Sequence, residues 1–578
     1  MNNLVISWIF LEVADLLEIK GDNPFKIRSY RQAARLLANL DKDISIYWAD
    51  GRLTELPGIG SALADKISEL LNTGHLSYLK KLREEVPAQF RQLLTIPGVG
   101  PRTVYTIHKH LGVNTIEELK AAVSDRKLRD LPGLGTKSEL AIKHALTQLD
   151  SECLGLPLGD AATIVSELVE AMGQLPLVQS ISVAGEIRRR EEFINEAQLV
   201  AAASPENISD ILATFSSAPY VRKIIDTSST SITALLGIGL EVELVVVQPN
   251  EFPTSLCYFT GPPKYWESLS HWAKERGFKL SPTGLFYRGQ PMALVTEEDL
   301  YRKLGLEFII PEQRFDHQSI LAAAGGTLPK VIEPEHIRGD LHLHTSYSDG
   351  RESVSSLAQA VVTRGYEYIA ITDHSQSLKI ARGLDAARLR AQAQEIDHVR
   401  KKFPELTILA GIEVDILRDG RLDFGNDVLS QLDLVIASVH SGFKQDKETM
   451  TGRIMSALRN PYVDILGHPS GRLLGRRPGY RVDLDAVIKE AKLQGKVLEI
   501  NSSPERLDLS AKWAAKAKKM GVKIVINSDA HDVRRLADIE YGVSVARRAG
   551  LEIDDIINTW PVARLKEFLK NRGTSTRG

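Results

Sequence analysis

Across residues 1–150 apolar side chains recur every three or four positions, and Gly and Pro punctuate the runs. That spacing gathers the apolar groups on one face of a helix, so a helical region is predicted. It opens on the apolar stretch from Leu4 to Leu11, followed at helical spacing by Glu12, Asp15 and Glu18. With no basic segment ahead of it, this stretch is expected to be an amphipathic helix and not a signal peptide. From about residue 156 the period shortens, and strands are predicted over 178–184, 198–203 and 240–247, the last rich in β-branched residues. Residues 312–337 contain Gly325-Gly326, Pro329 and Pro334 and are expected to hold a linker. Beyond Arg338, seven apolar runs alternate with helical segments: 340–344, 369–374, 409–413, 435–440, 464–468, 497–501 and 524–531. Strict alternation of this kind predicts parallel strands with helical crossovers.

Each of these runs ends on polar groups. In a β/α barrel the C-terminal strand ends meet on one rim, so residues far apart in sequence converge there. The predicted convergent set is His342, His344, Asp349, His374, Glu413, His440, His468, Asp529 and His531. His342 and His344 are two apart on a strand and therefore face the same side. Imidazoles and carboxylates without thiolates suit Zn, Mn or Fe. Nine such groups are too many for one ion, so two or three divalent metals sharing ligands are expected. A single histidine at a strand end is usually structural, and His336 and His398, which lie off the strand ends, are read that way.

The helical region carries a threefold repeat: Leu56-Pro57-Gly58-Ile59-Gly60, Ile96-Pro97-Gly98-Val99-Gly100 and Leu131-Pro132-Gly133-Leu134-Gly135, each followed by a helical segment. A tight glycine turn opening a helix points backbone N–H groups outward at the positive end of the helix dipole. Such a site suits a phosphate oxygen and carries no base readout. Gly58, Gly60, Gly98, Gly100, Gly133 and Gly135 are thus candidate DNA-binding residues, in turns that resemble helix-hairpin-helix motifs.

Length and charge narrow the picture. At roughly 100–200 residues per domain, 578 residues imply several domains. The 72 Lys+Arg against 74 Asp+Glu exclude a polycation but not local contacts with nucleic acid. Two cysteines, Cys153 and Cys257, exclude a disulfide framework and a cysteine-rich zinc site. No apolar run is long enough for a membrane span, so no membrane partner and a cytoplasmic, monomeric protein are expected.

The motifs also carry a family resemblance. The His-x-His pair, Ser348-Asp349-Gly350, Thr372-Asp373-His374, Gly411-Ile412-Glu413, Ser438-Val439-His440, Gly467-His468-Pro469 and Ser528-Asp529-Ala530-His531 resemble the ligand motifs of the PHP (polymerase and histidinol phosphatase) domain, a distorted TIM-like β/α barrel. Asn23 to Arg31, Ala184-Gly185-Glu186-Ile187-Arg188-Arg189 and Tyr258-Phe259-Thr260-Gly261 resemble the lyase-like domain, the nucleotide-facing turn and the nucleotide-side segment of a bacterial family X DNA polymerase with a C-terminal PHP domain. The resemblance implies a multidomain chain: 1–90 a helical lyase-like domain with the first hairpin, 91–150 a fingers-like helix-hairpin-helix region, 151–261 an α+β nucleotidyltransferase-like palm, 262–315 a thumb-like subdomain, 316–337 a linker and 338–570 the PHP barrel.

The resemblance also exposes departures. The family's Asp-x-Asp and third Asp, which hold two Mg ions, are here Glu196-Ala197-Gln198 and Glu243. Gln198 is neutral where a bridging carboxylate is wanted, and Mg demands near-ideal geometry at about 2.0–2.1 Å. Glu186 replaces the serine that meets the triphosphate beside Arg189, and Trp266 replaces a small polar residue. Mg is therefore not expected at this centre, and polymerase activity is expected to be lost. Lys66 matches the family's Schiff-base lysine, a possible site of lyase chemistry. The implied function is a DNA-repair enzyme, a metal-dependent 3'–5' exonuclease or phosphoesterase acting on gapped, nicked or 3' DNA ends, in which water held by the metal cluster attacks. The alternative is an active bifunctional gap-filling polymerase and exonuclease.

Overall fold

The computed structural model describes residues 3–38, 40, 42–86, 90, 93–94, 96, 99–149, 155–218 and 221–570. Gly98 and Cys153 lie outside the described residues. The chain divides into two compact units: Met1–Leu156 with Ala161–Val183 and Phe193–Phe252, and Pro157–Asp160 with Ala184–Glu192 and Pro253–Gly578.

The first unit begins with helices Asn3–Ile19 and Pro24–Ala38. Ile6, Phe10, Val13, Ala14 and Leu17, one stripe of the first helix, are buried against Tyr30, Ala33, Ala34 and Leu37 of the second. Phe10 meets Tyr30 edge to face at 5.3 Å. The three repeats make the same turn: Ile59 N–H donates to Leu56 O at 3.0 Å, Val99 to Ile96 at 2.9 Å and Leu134 to Leu131 at 3.0 Å. Gly58 and Gly133 sit at φ +86° and +78°, a region closed to most side chains. Gly60 and Gly100 differ, with ordinary φ of −81° and −88° at the N-caps of helices Ser61–Thr73 and Pro101–Leu111. At Gly58, Gly60, Gly100, Gly133 and Gly135 a Cβ would meet nothing within 4 Å, so the turns are open on the outside.

The same unit carries a mixed sheet of β1 (Ser180–Ala184), β2 (Glu196–Ala202), β3 (Val221–Thr227), β4 (Ser231–Leu236) and β5 (Glu241–Val247), in the order β1-β2-β5-β4-β3. β3 and β4 were not foreseen from the sequence pattern. β3 is largely polar and half-exposed, and pairing with β4, not a buried face, holds it in place. β2 and β5 run parallel with Gln198 opposite Glu243.

In the second unit, helices Phe252–Thr260, Pro263–Glu275 and Glu297–Lys303 enclose a core of Cys257, Tyr265, Leu269, Leu300 and Tyr301. Seven parallel strands follow: β6 (Gly339–Leu343), β7 (Tyr368–Ile371), β8 (Thr407–Asp415), β9 (Leu434–Ser438), β10 (Ile465–Leu466), β11 (Val497–Asn501) and β12 (Ile524–Asn527). They are ordered consecutively, and a parallel bridge from Leu343 to Ala530 brings the last strand round to the first. The result is a nearly closed barrel. Every residue of β6, β7, β9, β11 and β12 is buried, as the continuous apolar runs require of strands covered on both faces. Gly339 is obligatory where β6 pairs with β7, since a Cβ there would lie 2.1 Å from the Tyr368 carbonyl oxygen. Among the described residues no helix is long and apolar enough to cross a membrane.

Candidate metal centre

All nine residues singled out at the strand ends meet at one end of the barrel. His344, Asp349, His374 and His531 present ligand atoms to one another, as do His342, His344 and Asp529, and also His374, Glu413 and His440. The three groups share His344 and His374. His468 joins them through Nε2, 3.0 Å from Glu413 Oε1. The backbone at two of these residues is left-handed, His468 at φ +25° and Asp529 at φ +54°, the kind of strain that persists where a side chain must be aimed.

Partners behind three of the histidines orient their rings. His342 Nδ1–H donates to Glu499 Oε1 at 2.7 Å, His440 Nδ1–H to Asp415 Oδ1 at 2.7 Å and His531 Nδ1–H to the Asp529 carbonyl at 2.8 Å. Each turns Nε2 toward the centre, the arrangement by which partners at the other ring nitrogen orient metal-binding imidazoles. The loop carrying Asp349 is held by Asp373, whose carboxylate accepts from Thr345 N at 2.8 Å, Thr345 Oγ1 at 2.6 Å and Ser348 N at 3.1 Å. Gly350 lets this loop fold against His344, because a Cβ would stand 2.4 Å from the His344 carbonyl oxygen.

Sequence reasoning missed Glu499, Asp373 and Asp415. Their signal was available: each is a carboxylate within or just after an apolar strand, Asp415 two residues beyond Glu413, and burial tolerates such groups only with partners. His336 takes a local role, accepting from Glu333 N–H at 3.0 Å, and His398 is exposed on helix Ala386–Lys402.

The donors fit divalent cations. His342 Nε2, His344 Nδ1 and His468 Nδ1 are buried and make no hydrogen bond, while His374 Nδ1 crowds Glu413 Oε2 at 2.7 Å and His344 Nε2 crowds Asp529 Oδ1 at 3.0 Å. Orphaned buried polar atoms on this scale are costly without a further partner. Burial opposes the charges of Glu413 and Asp529, yet the imidazoles around them hold both carboxyls well below their ordinary range. Burial and the neighbouring His531 and His374 push His344 down to about 3, whereas neighbouring carboxylates overcome burial and hold His342 well above its ordinary range, His440 up to about 10 and His531 up to about 9, so a cation would bind there in exchange for protons. An ionised carboxylate and a neutral imidazole are the forms a cation needs. Above the cluster lies an open pocket of about 280 Å³, lined by Asp349, His374, Leu378, Ile380, Ala381, His440, Arg506, Asp529 and His531.

The other predicted residues fall elsewhere. Glu196 and Gln198 lie on one face of β2, with Gln198 Nε2 3.5 Å from Glu196 Oε1. Burial pushes the Glu243 carboxyl above its ordinary range, against a hydrogen bond from Gln198. Of this trio only Glu196 and Glu243 carry a carboxylate. Glu186 sits in the short helix Gly185–Arg188. Arg189 is committed to the Thr260 carbonyl at 2.7 Å, and Arg188 to Thr260 Oγ1 at 2.6 Å and Glu297 Oε2 at 2.8 Å. Trp266 meets Tyr258 edge to face at 5.1 Å. Lys66 Nζ donates to Ala62 O at 3.0 Å and lies 5.5 Å from the Tyr78 ring, which Lys26 Nζ approaches at 4.8 Å.

Comparison with known proteins agrees with this layout. Residues 1–76 match a helix-hairpin-helix domain, 90–147 a SAM-like helix-hairpin-helix tandem, 255–315 a DNA polymerase beta thumb and 340–503 a PHP domain. The chain is 37% identical over 563 residues to the DNA polymerase/3'-5' exonuclease PolX of Bacillus subtilis (strain 168), which covers 96% of this chain and 97% of that protein. A "Probable phosphatase" of Thermoanaerobacter sp. (strain X514) is 35% identical over 248 residues, 40% of this chain and 94% of its own length. A "Probable phosphatase" of Shewanella oneidensis is 31% identical over 250 residues, 41% of this chain and 93% of its own.

Proposed function

The chain belongs to the bacterial family X DNA polymerases, and from that premise we propose that it is a metal-dependent 3'–5' exonuclease or phosphoesterase of DNA ends. In this reading the PHP barrel carries the activity and the palm no longer synthesises DNA. The observation that carries it is the contrast between two sites in one chain. The barrel rim holds nine convergent ligands with orphaned buried donors, whereas the palm has a neutral Gln198 between two glutamates. When bound, two or three divalent cations (Mn, Zn or Fe) would supply Lewis-acid activation of water and neutralisation of phosphate charge.

The protein's own residues do the rest. His342, His344, Glu413 and His468 would hold the cations on the buried side, and Asp349, His374, His440, Asp529 and His531 on the pocket side. Glu499 and Asp415 orient the imidazoles they meet. The hairpin turns at Gly58, Gly100 and Gly133 would grip the DNA backbone through N–H groups, without regard to sequence, as suits a monomeric enzyme working at gapped or nicked DNA in repair. Lys66, lodged against Ala62 O and the Tyr78 ring, is the residue that would carry lyase chemistry.

A second reading, a bifunctional gap-filling polymerase and exonuclease, draws support from the parallel register that keeps Gln198 beside Glu243 and from the polymerase activity in the name of the Bacillus subtilis relative. One experiment separates the two. Labelled gapped DNA is incubated in Mn, with and without nucleotides, with the wild type and with the double variant His342→Ala, His344→Ala. Shortening by the wild type alone, with no extension by the double variant, is the expected result. Template-dependent extension by the double variant would establish the second reading, and wild-type digestion by it would remove the rim from the mechanism.

A further inference from the structure

The loop between His374 and Leu384 is bound at its neck and presents one apolar side chain at its tip. Ser375 and Leu384 form a parallel bridge, and Leu384 N–H donates to the His374 carbonyl at 2.8 Å. Gly383 admits no side chain, since a Cβ would lie 1.9 Å from Ser375 O. Ser377 N–H donates to Asp423 Oδ2 at 2.6 Å, and Arg388 Nη1 donates to the Arg382 carbonyl at 2.6 Å. Ala381 and Leu384 anchor the loop inward, both buried. Yet Ile380, immediately before Ala381, is 93% exposed, and it lines the pocket above the metal centre. Lys379 and Arg382 flank it, both exposed. Arg506 stands in the same pocket wall, its Nε 3.8 Å from Asp529 Oδ2.

A single exposed aliphatic residue ordinarily signifies nothing. This one is held out by a braced loop, at the mouth of a site lined by candidate metal ligands. A rigid presenter loses little freedom when its target arrives. The pocket has the room of one small ligand, short of a base pair. A duplex end could therefore engage only after its terminal nucleotide leaves the stack. Apolar side chains inserted between base steps do this work in other DNA-binding proteins.

We propose that Ile380 is a strand-separating wedge: it enters beneath the terminal base of a paired 3' end, while Arg506, across the pocket, receives the freed backbone phosphate. This makes Ile380 a specificity-determining residue for paired over unpaired ends, and it rests on the barrel acting on DNA ends as proposed above. Lys379 and Arg382 would steady the phosphates on either side of the tip.

The test uses the full-length protein and two measurements. In Mn, Ile380→Ala should digest a fully paired 3' end roughly tenfold more slowly, because unstacking is no longer assisted, while a single-stranded 3' tail is digested at the wild-type rate. Ile380→Leu should restore the paired-end rate. Separately, a duplex carrying 2-aminopurine at its 3' terminus is bound in the presence of chelator. Wild type and Ile380→Leu should raise its fluorescence as the base unstacks, and Ile380→Ala should not. Equal loss on paired and single-stranded ends, no loss on either, or a fluorescence rise with Ile380→Ala as large as the wild type's overturns the wedge. If the wild type digests neither substrate, the nuclease reading fails, and the fluorescence measurement still decides the wedge.

Discussion

His342 shows how much of the centre is arranged one residue away from it. Its Nε2 faces the cluster because its Nδ1–H is engaged by Glu499, itself buried on β11 and accepting from Asn527 Nδ2 at 2.8 Å. Glu499→Gln keeps the shape but weakens that acceptor, so metal affinity should fall by about 10–100-fold. Metal content after dialysis against graded chelator would measure this, and wild-type retention would refute the orienting role. Glu297 offers a residue-scale pH prediction away from the metals. Burial disfavours its charge, but Arg314 and Arg188 outweigh burial and bring its carboxyl down to about 2 from an ordinary 4.5. A folded-state value below the unfolded one contributes stability that is present above pH 4.5 and lost as pH falls toward 2. The contribution is about 3 kcal/mol. Acid titration of wild type against Glu297→Gln should show the wild type losing its advantage across that window, and parallel curves would count against the pairing.

At the scale of the element, the hairpin turns separate two uses of glycine. Gly58 needs its left-handed φ, so Gly58→Val should lower both melting temperature and DNA affinity. Gly60 caps helix Ser61–Thr73 at an ordinary φ with open space outside, so Gly60→Val should leave the melting temperature alone and weaken DNA binding by occupying the place of a phosphate. Thermal melting and fluorescence anisotropy on gapped DNA distinguish them, and affinity should fall steeply with salt. In the first unit's sheet, β2 and β5 run in parallel register with the neutral Gln198 opposite Glu243, and the proposed loss of synthesis rests on that position. A displacement of about 1 Å in a two-metal site costs about a hundredfold in rate. The combined change Glu196→Asp, Gln198→Asp, Glu243→Asp and Glu186→Ser, in a His342→Ala, His344→Ala background, should gain primer extension over that background. Extension already present in the background would overturn the loss of synthesis.

For the whole molecule, the proposed DNA grip and the proposed DNA cleavage fall in different compact units: the hairpin glycines are in the first and the nine rim residues in the second. Chelation should therefore abolish digestion and leave most DNA affinity in place. It should also lower the melting temperature of the barrel, because a cation at about a thousandfold above its Kd stabilises the folded state by about 4 kcal/mol. Calorimetry with and without chelator should show the barrel transition moving while the helical one stays. A shift of both together would mean that the units melt as one.

Periodicity alone determined the helical front, the seven barrel strands and their polar ends, because a strand buried on both faces must be written as a continuous apolar run. The repeated glycine turns were equally legible, since a tight turn before a helix leaves little choice of residue. β3 was not, because a polar strand held by its neighbour leaves no apolar alternation to detect. Glu499, Asp373 and Asp415 escaped for a related reason: a buried carboxylate is explained only by its partner, and those partners, His342, Thr345 and His440, lie 157, 28 and 25 residues away in sequence. Sequence fixed which residues could bind cations, through their chemistry and their place at strand ends. Only closure of the barrel decided that they share one centre, which nitrogen of each imidazole faces it, and that Ile380 stands at its mouth, because each of those depends on distances between strands that local pattern does not encode.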